Sequence, residues 1–231
     1  MKKGWKCLSG SALKLLAVLS MLVDHLAAFV WYDHAFATVC LMRLGDREVT
    51  PYFLMRCVGR IAFPIFAFLI TEGFVHTRSR LRYGINLAAF ALISEIPWNL
   101  VHSGTLLWRS QNVFFTLLLG YLGLCALERF RDDARRLALA LFGLLAATYL
   151  VRADYGCVGY AFILMLYILR EQPLFRAVLG SCMLPGRVVA GLAFIPLSMY
   201  DGERGFIRGP VGKYCFYAFY PLHLLLIWAF S

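Results

Sequence analysis

Charge is scarce in this sequence. Only 16% of the 231 residues are Asp, Glu, Lys or Arg, 61% are hydrophobic, and the mean hydropathy is +0.70. A soluble domain of this size could not keep such a surface monomeric in water. Acids are scarcer than bases, 13 against 23, for a formal charge of +10. The bases sit in short clusters between apolar runs, the arrangement of cytoplasmic loops, so the charge is read as topology and no nucleic-acid partner is expected. GxSxG, HExxH, Walker-type and GxGxxG motifs are all absent, which argues against a soluble hydrolase module, a zinc protease or a nucleotide-hydrolysing pump. No CxxC pair occurs; the seven cysteines are scattered, mostly in apolar runs, and read as small core residues rather than disulfides or a metal site, so no metal is expected. The basic start MKKGWKCLSGSALK, with Lys2, Lys3, Lys6 and Lys14, is not followed by a small-x-small cleavage site. The apolar run after it is therefore expected to remain as the first span, with the N-terminus in the cytoplasm. No repeat or low-complexity linker divides the chain, and 1–231 is read as a single domain.

What is present is a series of apolar runs of spanning length. They predict an all-α, polytopic transmembrane helix bundle of about eight spans, or nine or ten membrane segments if short or partial helices are counted. The expected spans lie at about 11–31, 51–76, 83–101, 112–127, 137–151, 155–169, 187–200 and 214–230. Pro185-Gly186 divides the stretch 174–200 into two pieces, each short for a crossing, so 174–184 is read as interfacial or partial. Loops holding Arg78, Arg80 and Arg82, and Arg129 to Arg136, fall inside; DGERGFIRGPVGK is placed outside, and both termini are placed in the cytoplasm.

An ionisable group at the centre of a span costs about 2.5–3.5 kcal/mol on insertion scales, so it should face protein or a wet cavity. Asp24, His25, Arg60, Glu72, Glu95 and His223 occupy such positions and imply a polar chamber. Lys14 and His25 are eleven residues apart, a helical rotation of about 20° net, so they share a face at roughly 16 Å along the axis. His25 reads as a general base taking a proton from an attacking hydroxyl or amine. Asp24 diverges from it by about 100°, so the partner of the imidazole is sought on the second, third or eighth span. Glu72 and His76 are an i, i+4 pair ahead of Arg78, Arg80 and Arg82, and these could form a mouth for a polyanionic cofactor. Arg60 needs an acid such as Asp24 or Glu95. Glu95 and Asn99 bracket the helix break at Pro97, and Asn112 opens the fourth span. Asp154, Asp201 and Arg204 lie in outer turns, and His223 is a second buried imidazole beside Pro221.

The segments LKLLAVLSMLVDH, GRIAFPIFAFLITEGFVHTR, ALISEIPWNL, NVFFTLLLG, ADYGCVGY, YDGERG and KYCFYAFYPLHLLL, in that order, resemble the TraX family of integral membrane proteins over nearly the whole chain. That family is similar to the wider group of transmembrane acyltransferases, where a basic residue and a histidine eleven positions later mark the first span, here Lys14 and His25. The resemblance implies transfer of an acyl group, expected to be acetyl, from cytoplasmic acetyl-CoA across an inner membrane. The acceptor would be an extracytoplasmic amine or hydroxyl on a pilin-like N-terminus, a glycan or a small molecule. On this reading His25, Asp24 and Glu72 serve catalysis, and Lys14, His76, Arg78, Arg80 and Arg82 hold the donor. The acceptor meets Arg60, Glu95, Asn99, Asn112, Asp154, Asp201, Arg204 and His223. A proton-coupled transporter or flippase is the rival class, since buried acids and imidazoles also build proton relays.

Overall fold

The computed structural model describes residues 5–184, 187–207 and 209–230. Lys2, Lys3 and the expected break at Pro185-Gly186 lie outside the described residues, as does the side chain of Arg187. The fold is all-α. Among the described residues thirteen α-helices follow one another with one two-stranded hairpin, and the chain divides into two compact units, 1–66 with 185–231, and 67–184.

In the first unit, α1 (Gly10–His25) starts where the Ser9 hydroxyl accepts from Ala12 N, and it is prolonged by a π-helical turn, Leu26–Val30, that begins directly after His25. The 21-residue rod Gly10–Val30 is long enough to cross a bilayer. A short helix α2 (Ala35–Thr38) leads to strands β1 (Met42–Leu44) and β2 (Arg47–Val49), paired antiparallel with Arg43 opposite Glu48 and closed by an ion pair at 2.7 Å. Helix α3 (Pro51–Gly59) has proline in its first turn and Thr50 as cap. It stops at Arg60, and α4 (Ala62–His76) resumes two residues later. The expected second span is thus stepped: Pro64 has no N–H to return to the Arg60 carbonyl.

The C-terminal part of this unit differs from expectation. The stretch 187–200 is two short pieces, α11 (Arg187–Gly191) and α12 (Phe194–Ser198), broken near Gly191 with Pro196 inside the second. Glycine and proline are the two residues least able to hold a helix across such a point. The following loop returns to the start of α1: Met199 O accepts from Cys7 N and Leu8 N, Glu203 O from Gly10 N at 2.8 Å and Arg204 O from Ser11 N. The Ser11 hydroxyl adds a bond to Arg204 O at 2.8 Å and accepts from Ile207 N. Helix α13 (Gly209–Phe230) therefore runs parallel to α1. Its far end, Phe230, shares a cavity of about 330 Å³ with Phe29, Val30, Tyr32, Asp33 and His34. The loop 201–207 is on the side of the α1 N-terminus, not opposite to it, and the C-terminal end of α13 is on the other side. This corrects the relative placing expected from the sequence, in which DGERGFIRGPVGK lay opposite the N-terminus and the two termini shared a side. The expectation failed because that loop contains acids as well as bases and gives a weak charge signal, while the broken 187–200 segment upsets the count of crossings.

The second unit is built around α7 (Val113–Arg129). It packs against α5 (Arg80–Ile93), α8 (Ala134–Val151) and α9 (Gly156–Ile168), and α9 meets α10 (Pro173–Met183). The approach of α7 to α9 is close at Gly120, where a Cβ would overlap Ile163. Helix α6 (Glu95–Ser103) continues α5 after a break at Ser94, again with a proline, Pro97, in the new first turn, and ends at Gly104 with φ 65°. Buried Leu87, Phe114, Tyr121, Leu124, Phe162 and Ile163 form the core. Leu92, Leu139, Phe142 and Leu150 point outward, as do Leu19 and Leu226 of the first unit, a distribution suited to lipid rather than water. The rods Gly10–Val30, Pro51–His76, Arg80–Ser103 and Ala134–Val151 have the length and hydropathy of spans, and the shorter apolar helices accompany them. None of the cysteines is fully buried, and all are free. They are not the core residues expected, because they sit on outward or boundary faces where a thiol meets lipid as readily as protein.

Candidate active site

His25 ends the regular part of α1, and the imidazole is half-buried. Its Nδ1 lies 2.7 Å from Nε2 of His223, which is 4% exposed on α13. The two rings are within 2° of parallel, with centroids 5.0 Å apart. Nδ1 of His223 lies 2.8 Å from the Phe219 carbonyl, one turn earlier on the same helix. Phe29, on the π turn, and Tyr220 pack at 5.9 and 6.2 Å from the His25 ring, so aromatic groups enclose it on two sides. The parallel course of α1 and α13 is what brings residues 25 and 223 to one level. Expected to contact substrate, His223 instead joins His25.

Asp24 turns away, as helix geometry requires. Its Oδ2 pairs with Arg56 Nη1 at 2.7 Å, the same nitrogen reaches the Asp24 carbonyl at 3.4 Å, and Arg60 adds a second positive charge nearby. The carboxylate fastens α1 to α3 and is not placed to orient His25. Lys14 lies on the face of His25, near the start of α1. There its ammonium is in Coulombic range of Arg204, and the described residues give neither side chain a carboxylate partner. Arg204 and Asp201 therefore belong to the Lys14 end of this unit.

The second unit holds two further groups. At one end, Glu72 Oε2 and His76 Nε2 are 3.6 Å apart, and Arg176 of α10, not singled out from the sequence, lies over Phe68 at 5.2 Å in Coulombic range of Glu72 and Glu171. Arg78, Arg80 and Arg82 do not act as a cluster. All three are exposed, and what sets Arg80 apart is its contacts: it sits over Phe74 at 4.5 Å and pairs with Glu128 at 3.6 Å. The difference follows from Ser79: as N-cap of α5 it starts the helix at Arg80 and so fixes that residue on the flank beside Phe74 and Glu128. Glu128 also accepts a short hydrogen bond from the Tyr167 hydroxyl, and that bond, with Arg80 beside it, holds the carboxyl below the ordinary range. No motif marked Glu128, Tyr167 or Arg176; only the apolar run around Tyr167 and the lone arginine in α10 hinted at them.

At the other end of this unit, Asn112 is fully buried and fixes three elements. Its Nδ2 donates to Ala91 O at 2.8 Å and to Glu95 Oε2 at 2.7 Å, and its Oδ1 caps α7 at Phe114 N. Asn99 Nδ2 donates to Leu106 O at 2.8 Å. Among the described residues no hydrogen bond reaches the buried Glu95 Oε1 or Asn99 Oδ1. Asp154 is exposed in the turn after Ala153, whose strand-like pairing with Gln111 puts it at the same end. Among the described residues no group of three or more His, Cys, Asp or Glu side chains could hold a metal ion.

Long apolar helices carrying outward leucines and a hydrogen-bonded pair of imidazoles within the bundle define an α-helical membrane protein with a polar interior site. The TraX protein family matches residues 9–231, and the chain belongs to that family. It is 28% identical over 248 residues to the "Probable fimbrial assembly protein FimC, serogroup H1" of Dichelobacter nodosus, covering 95% of this chain and 94% of that protein. No solved structure matches.

Proposed function

We propose that this protein is a membrane acyltransferase that moves an acetyl group from acetyl-CoA to an amine or hydroxyl at the opposite face of the membrane. The observation that carries the reading is the half-buried His25, held by a second imidazole at membrane depth and sharing a helix face with Lys14. A histidine kept at such a depth at an energetic cost suits a proton-transfer role. His25 takes the proton of the acceptor as its nitrogen or oxygen attacks the thioester carbonyl. The new N–C or O–C bond forms, the C–S bond breaks, and the CoA thiolate recovers the proton from the imidazolium. Lys14 and Arg204, two neighbouring cations without a carboxylate, suit the phosphates of the donor. From there the pantetheine arm would run along α1 toward His25, roughly 16 Å deeper. The name of the Dichelobacter relative favours a fimbrial or pilin-type subunit as the acceptor.

The test is transfer of label from radiolabelled acetyl-CoA to candidate acceptors by purified protein in nanodiscs. Loss of transfer in His25→Ala, with donor binding retained by calorimetry, is expected. Transfer that survives the substitution removes His25 as the base, and absence of acetyl-CoA binding ends the acyltransferase reading.

A further inference from the structure

We infer that His223 is a positioning residue that fixes the tautomer of His25 so that the basic lone pair lies on Nε2. The inference deepens the acyltransferase reading and rests on it for its catalytic consequence, but the tautomer itself follows from hydrogen-bond chemistry alone. A backbone carbonyl only accepts, so the 2.8 Å contact from His223 Nδ1 to the Phe219 oxygen requires the hydrogen on Nδ1. A neutral imidazole with its hydrogen on Nδ1 presents a lone pair at Nε2. The 2.7 Å contact to that atom then requires the hydrogen of His25 on its own Nδ1, which leaves His25 Nε2 as the acceptor nitrogen. The chain Phe219 carbonyl, His223, His25 thus orders two protons in one direction and points the base away from α13. The near-parallel rings and the 4% exposure of His223 make the arrangement a built one, with the second ring shielded from competing water.

A histidine partner also differs from a carboxylate. It orients the base and accepts from its Nδ1–H when His25 becomes an imidazolium, without placing a fixed negative charge beside the site. Pro221, inside α13, has no N–H to return to the carbonyl one turn earlier.

The test uses full-length, ¹⁵N-histidine-labelled protein in nanodiscs, with His25 assigned by comparison with His25→Gln. Long-range ¹H–¹⁵N spectra should show a pyridine-type nitrogen at His25 Nε2 and a protonated Nδ1. His223→Phe removes the acceptor and should mix the two tautomers and lower kcat at least tenfold while the KM for acetyl-CoA stays within twofold. His223→Gln can donate to the Phe219 carbonyl through its amide N–H and accept from His25 through its oxygen, and should restore both the spectrum and most of kcat. A hydrogen on His25 Nε2 in the wild type overturns the inference, as does a folded His223→Phe protein with the wild-type tautomer. If the tautomer is as inferred but His25→Ala still transfers acyl groups, the positioning stands and His25 is removed as the base; if the tautomer is as inferred but the protein binds no acetyl-CoA, the positioning stands and the acyltransferase reading falls.

Discussion

Gly59 is the position where α1 and α3 approach most tightly beside the site, and its replacement tests how that contact sets the site. A Cβ at residue 59 would overlap Asp24 Cβ, Cγ and Oδ1, well inside the ordinary carbon contact of about 3.5–4.0 Å. The Asp24 side chain has little freedom to retreat, because Arg56, one turn earlier on α3, holds its Oδ2 at 2.7 Å. Gly59→Ala gains about 1 kcal/mol in helix propensity. Against this stands the overpacking cost, here near the upper end of about 1–3 kcal/mol because backbone-borne atoms collide. The net expectation is a loss of about 2 kcal/mol. Asp24→Gly removes the colliding atoms, and in that background the same Gly59→Ala change should be neutral or stabilising by up to about 1 kcal/mol. The coupling between the two sites is then about 2–3 kcal/mol, far outside the few tenths seen for independent positions. Reversible unfolding in mixed micelles of the four proteins of this cycle measures it. Additive losses, with Gly59→Ala equally harmful in both backgrounds, would refute the argument that α1 and α3 are in contact through this glycine. Since His25 follows Asp24 directly, Gly59→Ala should also disturb the His25 nitrogen signals while Gly59→Ala with Asp24→Gly restores them.

Two other substitutions probe the second unit. Glu95→Gln keeps an acceptor for Asn112 and replaces a half-buried carboxylate with a neutral amide, so it should raise the midpoint of unfolding by the equivalent of about 1 kcal/mol; an unchanged or lower midpoint contradicts the assigned burial and bonding. Tyr167→Phe removes the main influence holding the Glu128 carboxyl low. A carboxyl depressed in the folded state stabilises above its unfolded value, and that stability disappears as the pH falls through the folded one. The variant should therefore be less stable than wild type at neutral pH and converge with it in acid; parallel pH profiles of the two proteins' thermal midpoints would show that Glu128 is not tuned by this hydroxyl.

The helical, membrane-spanning character was legible because composition and run length report directly on burial in lipid. Asn112 was legible as the start of its span, while Ser9, Thr50, Ser79 and Asp133, which cap their helices in the same way, were not singled out. The divergence of Asp24 from His25 was readable from the helix angle alone. The identity of the partner was not, since it depends on whether α13 runs parallel or antiparallel to α1, and the charge signal around 201–213 is too mixed to decide direction. The arginine cluster misled for another reason. Loop charge predicts a side of the membrane but not which guanidinium finds partners, and that is set by the Ser79 cap, by Phe74 and by Glu128, with Tyr121 holding the Arg80 carbonyl.

The parallel course of α1 and α13 has a consequence that labelling can settle. Backbone bonds from Cys7, Leu8, Gly10 and Ser11 to Met199, Glu203 and Arg204 put the start of α1 and the 199–207 loop at one level, and Phe230 shares its cavity with Asp33 and His34 at the other. In a cysteine-free background, Glu203→Cys and a cysteine restored at position 7 should react with a membrane-impermeant maleimide from the same side of the membrane, while His34→Cys reacts from the opposite side. Each chosen position is exposed, so access is set by sidedness rather than burial. If Glu203→Cys is labelled together with His34→Cys, the strand-like pairing of the loop with the N-terminal segment is wrong, and Arg204 returns to the acceptor side. If it is labelled together with residue 7, Lys14 and Arg204 face the same compartment, as the proposed donor site requires, and the level of His25 and His223 lies between that compartment and the far side. An enzyme that modified both substrates on one side would have no need of a base at that depth.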